Sequence, residues 1–65
     1  MKIRYFADTD TMLIEFSYAP FSEIRALNEN IILDLDAEGN IRTINIEYAS
    51  KCADAPRFSY EQIAA

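Results

Sequence analysis

The acidic stretch Asp34-x-Asp36-x-Glu38-Gly39 holds the residues whose types and spacing are best suited to chemistry. Alternate carboxylates followed by glycine match the first half of a calcium-binding loop of the EF-hand type. The twelfth position of such a loop requires a bidentate Glu, but this chain has Asn45 there. The stretch therefore favours a turn with solvated carboxylates, and Asp34, Asp36 and Glu38 are the candidate metal ligands that remain.

The flanks of this stretch alternate between apolar and polar residues, which is typical of strands with one buried and one wet face. The apolar series comprises Ile31, Leu33 and Leu35 before the turn, then Ile44, Ile46 and Tyr48 after it. Gly39 can adopt a positive φ in the turn, and Asp36 can accept backbone N–H bonds there. We therefore expect an antiparallel hairpin, with Asp36 and Gly39 as its structural turn residues.

Other reactive side chains are few. The chain has no histidine, so a Ser–His or Cys–His nucleophile system is not available within one copy. Asp8 and Asp10 could form a metal or acid–base pair, but their Thr-rich surroundings favour turn chemistry. The single cysteine, Cys52, predicts a free, partly buried and inert thiol. A lone glycine cannot build a phosphate-cradling loop, so we expect neither an enzyme nor a cofactor.

The remaining elements complete a small β-rich domain. Residues 1–17 alternate in the manner of two strands joined by a turn, which predicts a second hairpin. Residues 23–27 fit a short edge strand better than a helix, although Ile24 and Leu27 have helical spacing. Ser59 and Gln62 resemble a capping box, so residues 57–65 are expected to form a short helix. The predicted fold is mainly β, bordering on α+β: an antiparallel β-meander of four to five strands with a short C-terminal helix.

Length and charge narrow the class of protein. A chain of 65 residues predicts one domain over residues 1–65, and 51% hydrophobic residues suffice for a core. Eleven acidic and six basic residues give a net charge of -5, which disfavours nucleic acid and polybasic membrane attachment. The single cysteine, the polar N-terminal sequence and the lack of a long apolar run lead us to expect a cytoplasmic location.

Two stretches, residues 1–16 and 31–50, resemble the small prokaryotic family of domains of unknown function numbered 2283. The first match comprises Met1, Lys2, Ile3, Tyr5, Asp10, Met12 and Ile14. The second comprises Ile32, Leu33, Asp34, Asp36, Gly39, Ile44, Ile46, Ala49 and Ser50. The resemblance implies a compact antiparallel sheet with a little helix and no established activity. Members often have Glu where this chain has Asn45, and Asp-Pro where it has Phe6-Ala7.

A protein-interaction module is the predicted function. The acidic balance suits a basic partner, and gene neighbourhoods of some relatives suggest an antitoxin-like role opposite a toxin-type protein. The candidate contacts are Asp34, Asp36, Glu38 and Glu47. One alternative is a self-associating structural domain, such as a homodimer joined through Phe6, Phe21, Phe58 or Tyr60. A carboxylate- or metal-dependent enzyme is the third hypothesis.

Overall fold

Five β-strands and one short helix form the computed structural model, which describes residues 1–64. The elements are β1 (Lys2–Phe6), β2 (Thr11–Glu15), β3 (Glu23–Ala26), β4 (Ile31–Leu35), β5 (Ile41–Glu47) and α1 (Ala49–Cys52). All strands pair antiparallel in a single sheet. The predicted antiparallel sheet with a short helix is confirmed, as are the strand in residues 23–27 and both hairpins.

The order of the strands, β1-β2-β5-β4-β3, departs from that of a meander at one connection. The chain leaves β2 inside the sheet and enters β3 at the far edge. Along this connection the Phe16 N–H donates to the Arg42 carbonyl at 2.8 Å, and the Ser22 N–H donates to the Leu35 carbonyl at 2.9 Å. The connection therefore passes the neighbouring ends of β5 and β4. Pairing of β2 with β5 is a long-range contact, which strand periodicity does not reveal.

Cross-strand pairing places the apolar residues of four strands on one side of the sheet, here named the apolar face. Residues paired across antiparallel strands share a face. The face comprises Ile3, Tyr5, Met12, Ile14, Ile31, Leu33, Leu35, Ile44 and Ile46. The opposite, mixed face includes Arg4, Leu13, Asn45 and Ile32 in successive strands. The alternation predicted for the central hairpin is confirmed as far as Ile46.

The chain after β5 covers only part of the apolar face. Ala49 and Ala55 are buried against Met12, with Ile3, Tyr5, Ile14 and Ile46 packed around them. Within residues 1–64, no large side chain is fully buried. A sheet normally buries its apolar side against a second layer. Here that layer is a partial one, and most of the apolar side chains along β4 and β5 remain partly exposed.

The position of the helix corrects the prediction. Residues 57–64 form no helix, and Ala65 lies outside the described residues. A short helix needs packing to be stable, and the apolar side chains of Tyr60 and Ile63 are exposed instead of packed. The helix forms instead at Ala49–Cys52. Across residues 1–64, no helix has the length and apolar character needed to span a membrane.

Tyr48 also departs from the expected pattern. It was placed in series with Ile44 and Ile46, but β5 ends at Glu47 and Tyr48 has a left-handed φ of 54°. Its side chain is 56% exposed. The change of backbone direction at this residue ends the alternation and starts α1.

Candidate functional site

A cluster of hydrogen bonds around Asp10 ties the first hairpin to the helix, and we name it the Asp10 junction (Tyr5, Asp10, Ala49 and Ser50). The Tyr5 hydroxyl donates to Asp10 Oδ1 at 2.6 Å. The Ser50 N–H donates to the same oxygen at 3.0 Å, and the Ser50 hydroxyl donates to Asp10 Oδ2 at 2.7 Å. The Ala49 N–H donates to the Asp10 carbonyl at 2.9 Å. The junction thus joins β1, the turn before β2, and α1.

Asp10 acts as a remote cap for α1. The residue at the N-cap position, Tyr48, makes no side-chain capping bond. The first N–H groups of a helix lack partners within the helix, and a carboxylate oxygen satisfies such a group well. Asp10 reaches this position with a φ of 55°, a conformation that Asp tolerates better than most residues. The cap comes from a residue 40 positions away in sequence.

The ionisation of the junction suits a structural link rather than catalysis. The hydrogen bond from Tyr5, followed by that from the Ser50 side chain, lowers the pKa of Asp10 below its ordinary value of 3.8. The same bond to Asp10 raises the pKa of Tyr5 above its ordinary value of 10.0. A carboxylate with a lowered pKa is a poor proton acceptor for the Ser50 hydroxyl, so Asp10 is not suited to activate a nucleophile.

The turn of the central hairpin forms as predicted. Asp36 Oδ1 accepts the N–H groups of Glu38 and Asn40, each at 2.9 Å. The bond from the Asn40 backbone is the main cause of the lowered pKa of Asp36. Gly39 has a φ of 86°, the positive value expected for it. Asp36 and Gly39 are therefore turn residues, and the oxygens of Asp36 are largely committed to this turn.

The structure does not gather the acidic candidates into one site. Asp34 lies 3.5 Å from Arg42 as an ion pair on the sheet, and Glu38 is exposed in the turn. Glu47 is at the other end of β5, opposite Thr11. In the part of the chain that the structure describes, no three acidic, cysteine or histidine residues are grouped to hold a metal ion. Asp34, Asp36 and Glu38 therefore lack the arrangement of a cation site.

A groove opens on the apolar face between β1, β2 and the chain after α1. Its volume is about 530 Å³, within the range of small-molecule sites. Its lining residues are Met1, Ile3, Tyr5, Met12, Pro56, Phe58 and Tyr60. Phe58 and Tyr60 are 64% and 77% exposed, so these aromatic residues border the groove without filling it. This groove is thus part of the incompletely covered apolar face.

Cys52 and Asn45 have environments that the sequence did not predict. Cys52 is exposed, which corrects the expected partial burial. Its Sγ contacts the Glu47 carbonyl at 3.8 Å, because α1 turns the side chain beside the end of β5. Asn45 lies on the mixed face, and its Oδ1 is buried without a hydrogen-bond partner. Residue 45 is thus a polar position in the middle of the sheet.

The Asp10 junction was not foreseen from the sequence. Only a turn was expected at Asp10, and Ser50 was assigned no role. Local spacing cannot connect residues 40 positions apart. The signal that could have found it is that all four junction residues, Tyr5, Asp10, Ala49 and Ser50, are among those that carry the family resemblance.

The comparisons with known proteins agree with the small antiparallel sheet described above. The chain belongs to the family described as "Protein of unknown function (DUF2283)", whose family model matches residues 2–50. Searches of curated proteins and of solved structures find no match. The matched region includes the whole sheet and the junction as far as Ser50, so the family likeness extends over the fold but brings no activity with it.

Proposed function

We propose that this chain is a protein-interaction module that self-associates by packing the apolar faces of two copies. The observation that carries the proposal is an excess of exposed surface. The folded chain exposes 5118 Å². A compact monomer of 7.5 kDa exposes about 4,250 Å² by the scaling for globular proteins. The excess of roughly 900 Å² is close to the ~800 Å² that each partner buries in a standard interface.

The flat shape of the molecule supports the same proposal. The Cα radius of gyration is 12.9 Å, against about 10.7 Å for a compact domain of this length. The smallest principal extent is 18 Å, much less than the other two at 37 Å and 31 Å. A single sheet with a partial second layer has this shape. A second copy laid on the apolar face would supply the missing layer, as in a β-sandwich.

The charge distribution favours a second copy over a charged partner on this face. In the strands, Glu23 and Arg25 are the charged residues that the pairing puts on the apolar side. Arg25 Nη2 lies 3.1 Å from Glu23 Oε2, so their charges offset each other. The remaining acidic side chains lie in turns or on the mixed face, or belong to the chain after α1. The strands of two copies, each of net charge -5, can therefore meet through these faces without opposing like charges.

A pair of neighbouring substitutions on β4 tests the proposal. Leu33 is on the apolar face beside Ile44, whereas Ile32 is on the mixed face beside Asn45. Both side chains are half-buried. We expect Leu33→Glu to weaken dimerisation about 100-fold or more, because it places a carboxylate among the apolar side chains of the interface with only the exposed Arg25 beside it. The matched variant Ile32→Glu should leave the dissociation constant within about threefold of that of the original protein.

Sedimentation equilibrium measures both constants, and circular dichroism with thermal melting checks that the variants fold. Equal effects of Leu33→Glu and Ile32→Glu on association, with both variants folded, would contradict an interface on the apolar face. If Leu33→Glu does not fold, the milder Leu33→Ala replaces it, with Ile32→Ala as its control.

A basic protein partner is the second candidate function. The net charge of -5 and the exposed Glu38 favour it, as does the placement of Asp34, Asp36 and Glu38 near one end of the central hairpin. The antitoxin-like role belongs to this hypothesis. Replacing Asp34, Glu38 and Glu47 by Asn or Gln, with Asp36 left to support the turn, should weaken capture of a basic protein at moderate salt. Unchanged capture would sink the hypothesis.

A further inference from the structure

We propose that β3 is a second self-association surface, through which two copies pair their β3 edges antiparallel about a two-fold axis. β3 is an edge strand of the sheet, and all four of its residues, Glu23–Ala26, are exposed. An exposed edge presents unpaired backbone groups that another strand can bind. The hydrogen-bonding edge of β3 is distinct from the apolar face, although the side chains of Glu23 and Arg25 border that face.

One register of this pairing is complementary throughout. When Ile24 lies opposite Ile24 of a second copy, each Glu23 lies opposite an Arg25. The two flanking apolar residues, Phe21 and Leu27, also lie opposite each other. Ile24, Phe21 and Leu27 are 62%, 52% and 65% exposed in the single chain. The register therefore pairs opposite charges with each other and exposed apolar side chains with each other.

Ile24 and Ala26 have backbone groups free for this register, whereas the Ser22 N–H, which would lie opposite Ala26, already donates to the Leu35 carbonyl. The Leu27 N–H donates to the Ile31 carbonyl at 2.8 Å, so Leu27 directs its backbone groups to β4. Alternation along an antiparallel strand then directs the groups of Arg25 to β4 and those of Ile24 and Ala26 to the open edge. Ile24 would face its counterpart as a hydrogen-bonded pair. Glu23 and Arg25 would face each other as non-hydrogen-bonded pairs, in which side chains lie closest.

The other edge of the sheet does not share this complementarity. β1 carries Lys2 and Arg4 and no acidic residue. Pairing β1 with itself about Ile3 or Arg4 would set cations opposite each other, which is how edge strands resist association. Like charges on an edge strand therefore oppose its pairing with a second copy. The opposite charges of Glu23 and Arg25 instead attract each other across the two-fold register.

Charge reversal tests this contact together with Ile24→Pro, because Glu23 and Arg25 also border the apolar face. Ile24→Pro removes an N–H that the open edge offers and leaves the apolar face unchanged. Glu23→Arg gives a strand with two arginines, and Arg25→Glu gives one with two glutamates. Each variant alone should associate about tenfold or more weakly through β3, because like charges then oppose each other at two places. A 1:1 mixture of the two variants should regain the association, as should the double variant E23R/R25E. Asp8→Arg, in the exposed turn between β1 and β2, makes the same change of charge away from β3 and is the matched control, which should change nothing.

Native mass spectrometry at several concentrations gives the number of copies. If both surfaces operate, the original protein forms tetramers, Ile24→Pro forms dimers joined by the apolar face, and the 1:1 mixture of the charge-reversed variants forms mixed tetramers. If only β3 pairs and the apolar face does not, the original protein forms dimers, the single variants are monomers, and the mixture forms mixed dimers. β3 pairing would be overturned if the β3 variants form as many copies as the original protein does. It would also be overturned if the 1:1 mixture of Glu23→Arg and Arg25→Glu does not regain that number of copies.

Discussion

Asp10 is the residue on which the arrangement of the second layer most depends. Its carboxylate accepts hydrogen bonds from the Tyr5 hydroxyl, the Ser50 N–H and the Ser50 hydroxyl. Bonds to an ionised acceptor are stronger than those between neutral groups. The junction therefore holds α1 against the first hairpin, and with α1 it holds the buried Ala49 over Met12.

Replacing Asp10 by Asn should lower the melting temperature by several degrees at pH 7, because the ionised acceptor is lost. The pKa of Asp10 is lowered, so its stabilising effect is complete above its ordinary value of 3.8 and is lost as the pH falls through the lowered pKa. The gap in melting temperature between the original protein and Asp10→Asn should therefore shrink below about pH 3.8.

Thermal melting from pH 7 to pH 2.5 measures this gap, in steps of about half a pH unit across the titration range. Asp8→Asn, at an exposed position in the same turn, is the control and should match the original protein throughout. A gap for Asp10→Asn that stays constant over the whole range would show that the ionisation of Asp10 does not contribute to stability.

Gly39 supports the central turn through its backbone conformation. No heavy atom outside its chain neighbours lies within 4 Å of where a Cβ would be, so space is not limiting. With a φ of 86°, Gly39→Val should nevertheless cost about 1–3 kcal/mol in the free energy of unfolding. Gly39→Asn should cost less, because Asn adopts positive φ more readily. Urea unfolding compares the two, and equal losses would contradict a backbone cause.

Gly39 and Asp10 differ in how far the local sequence predicts their roles. The turn at Asp36 and Gly39 was predictable, since its hydrogen bonds stay within five consecutive residues. The role of Asp10 was not, because its partner Ser50 comes close only after β2 pairs with β5. The acidic residues were predicted as a group from their spacing, but the strand geometry puts Glu47 far from Glu38.

At the scale of elements, α1 is a single turn that tertiary contacts must hold in place. Helices this short are not stable by themselves in water. Ala49 has 0% exposure, and the Ala53 N–H donates to its carbonyl at 2.8 Å. The close approach of α1 to the sheet therefore requires a small side chain at residue 49.

We expect Ala49→Leu to destabilise the fold by about 1–3 kcal/mol, the usual cost of forcing a larger side chain into a packed site. The control is Ala53→Leu, at an exposed position just after α1, which should change stability by less than about 0.5 kcal/mol. Chemical denaturation gives both values. If Ala49→Leu is tolerated as well as Ala53→Leu, the packing of α1 on the apolar face is not as described.

The strands were largely predictable and their arrangement was not. Period-two alternation located β1, β4 and the course of β5, because it reflects one buried face. Even β3 was identified, because Arg25 and Ala26 fit an edge strand although Ile24 and Leu27 have helical spacing. The strand order and the site of the helix depend on the β2–β5 pairing and on a cap from Asp10. Such long-range contacts leave no local pattern, so the expected helix was placed at Ser59 instead.

At the scale of the whole molecule, one copy has more apolar surface than its second layer can cover. Its exposed area of 5118 Å² and its flat shape both depart from those of a compact monomer in the direction that a missing layer would produce. A chain of 65 residues has limited capacity for a core, and association is one of the ways in which small domains compensate. The stability of the fold and its association are therefore expected to depend on each other.

The mass of the original protein in solution tests this account most directly. Sedimentation equilibrium across about 1–100 µM, a range that spans typical dissociation constants of small interfaces, should give at least twice the single-chain mass of 7.5 kDa at the upper end. A mass that rises towards that of four copies would indicate that the β3 contact forms as well. A folded protein that stays at 7.5 kDa at every concentration would contradict the proposal that the apolar face is completed by a second copy.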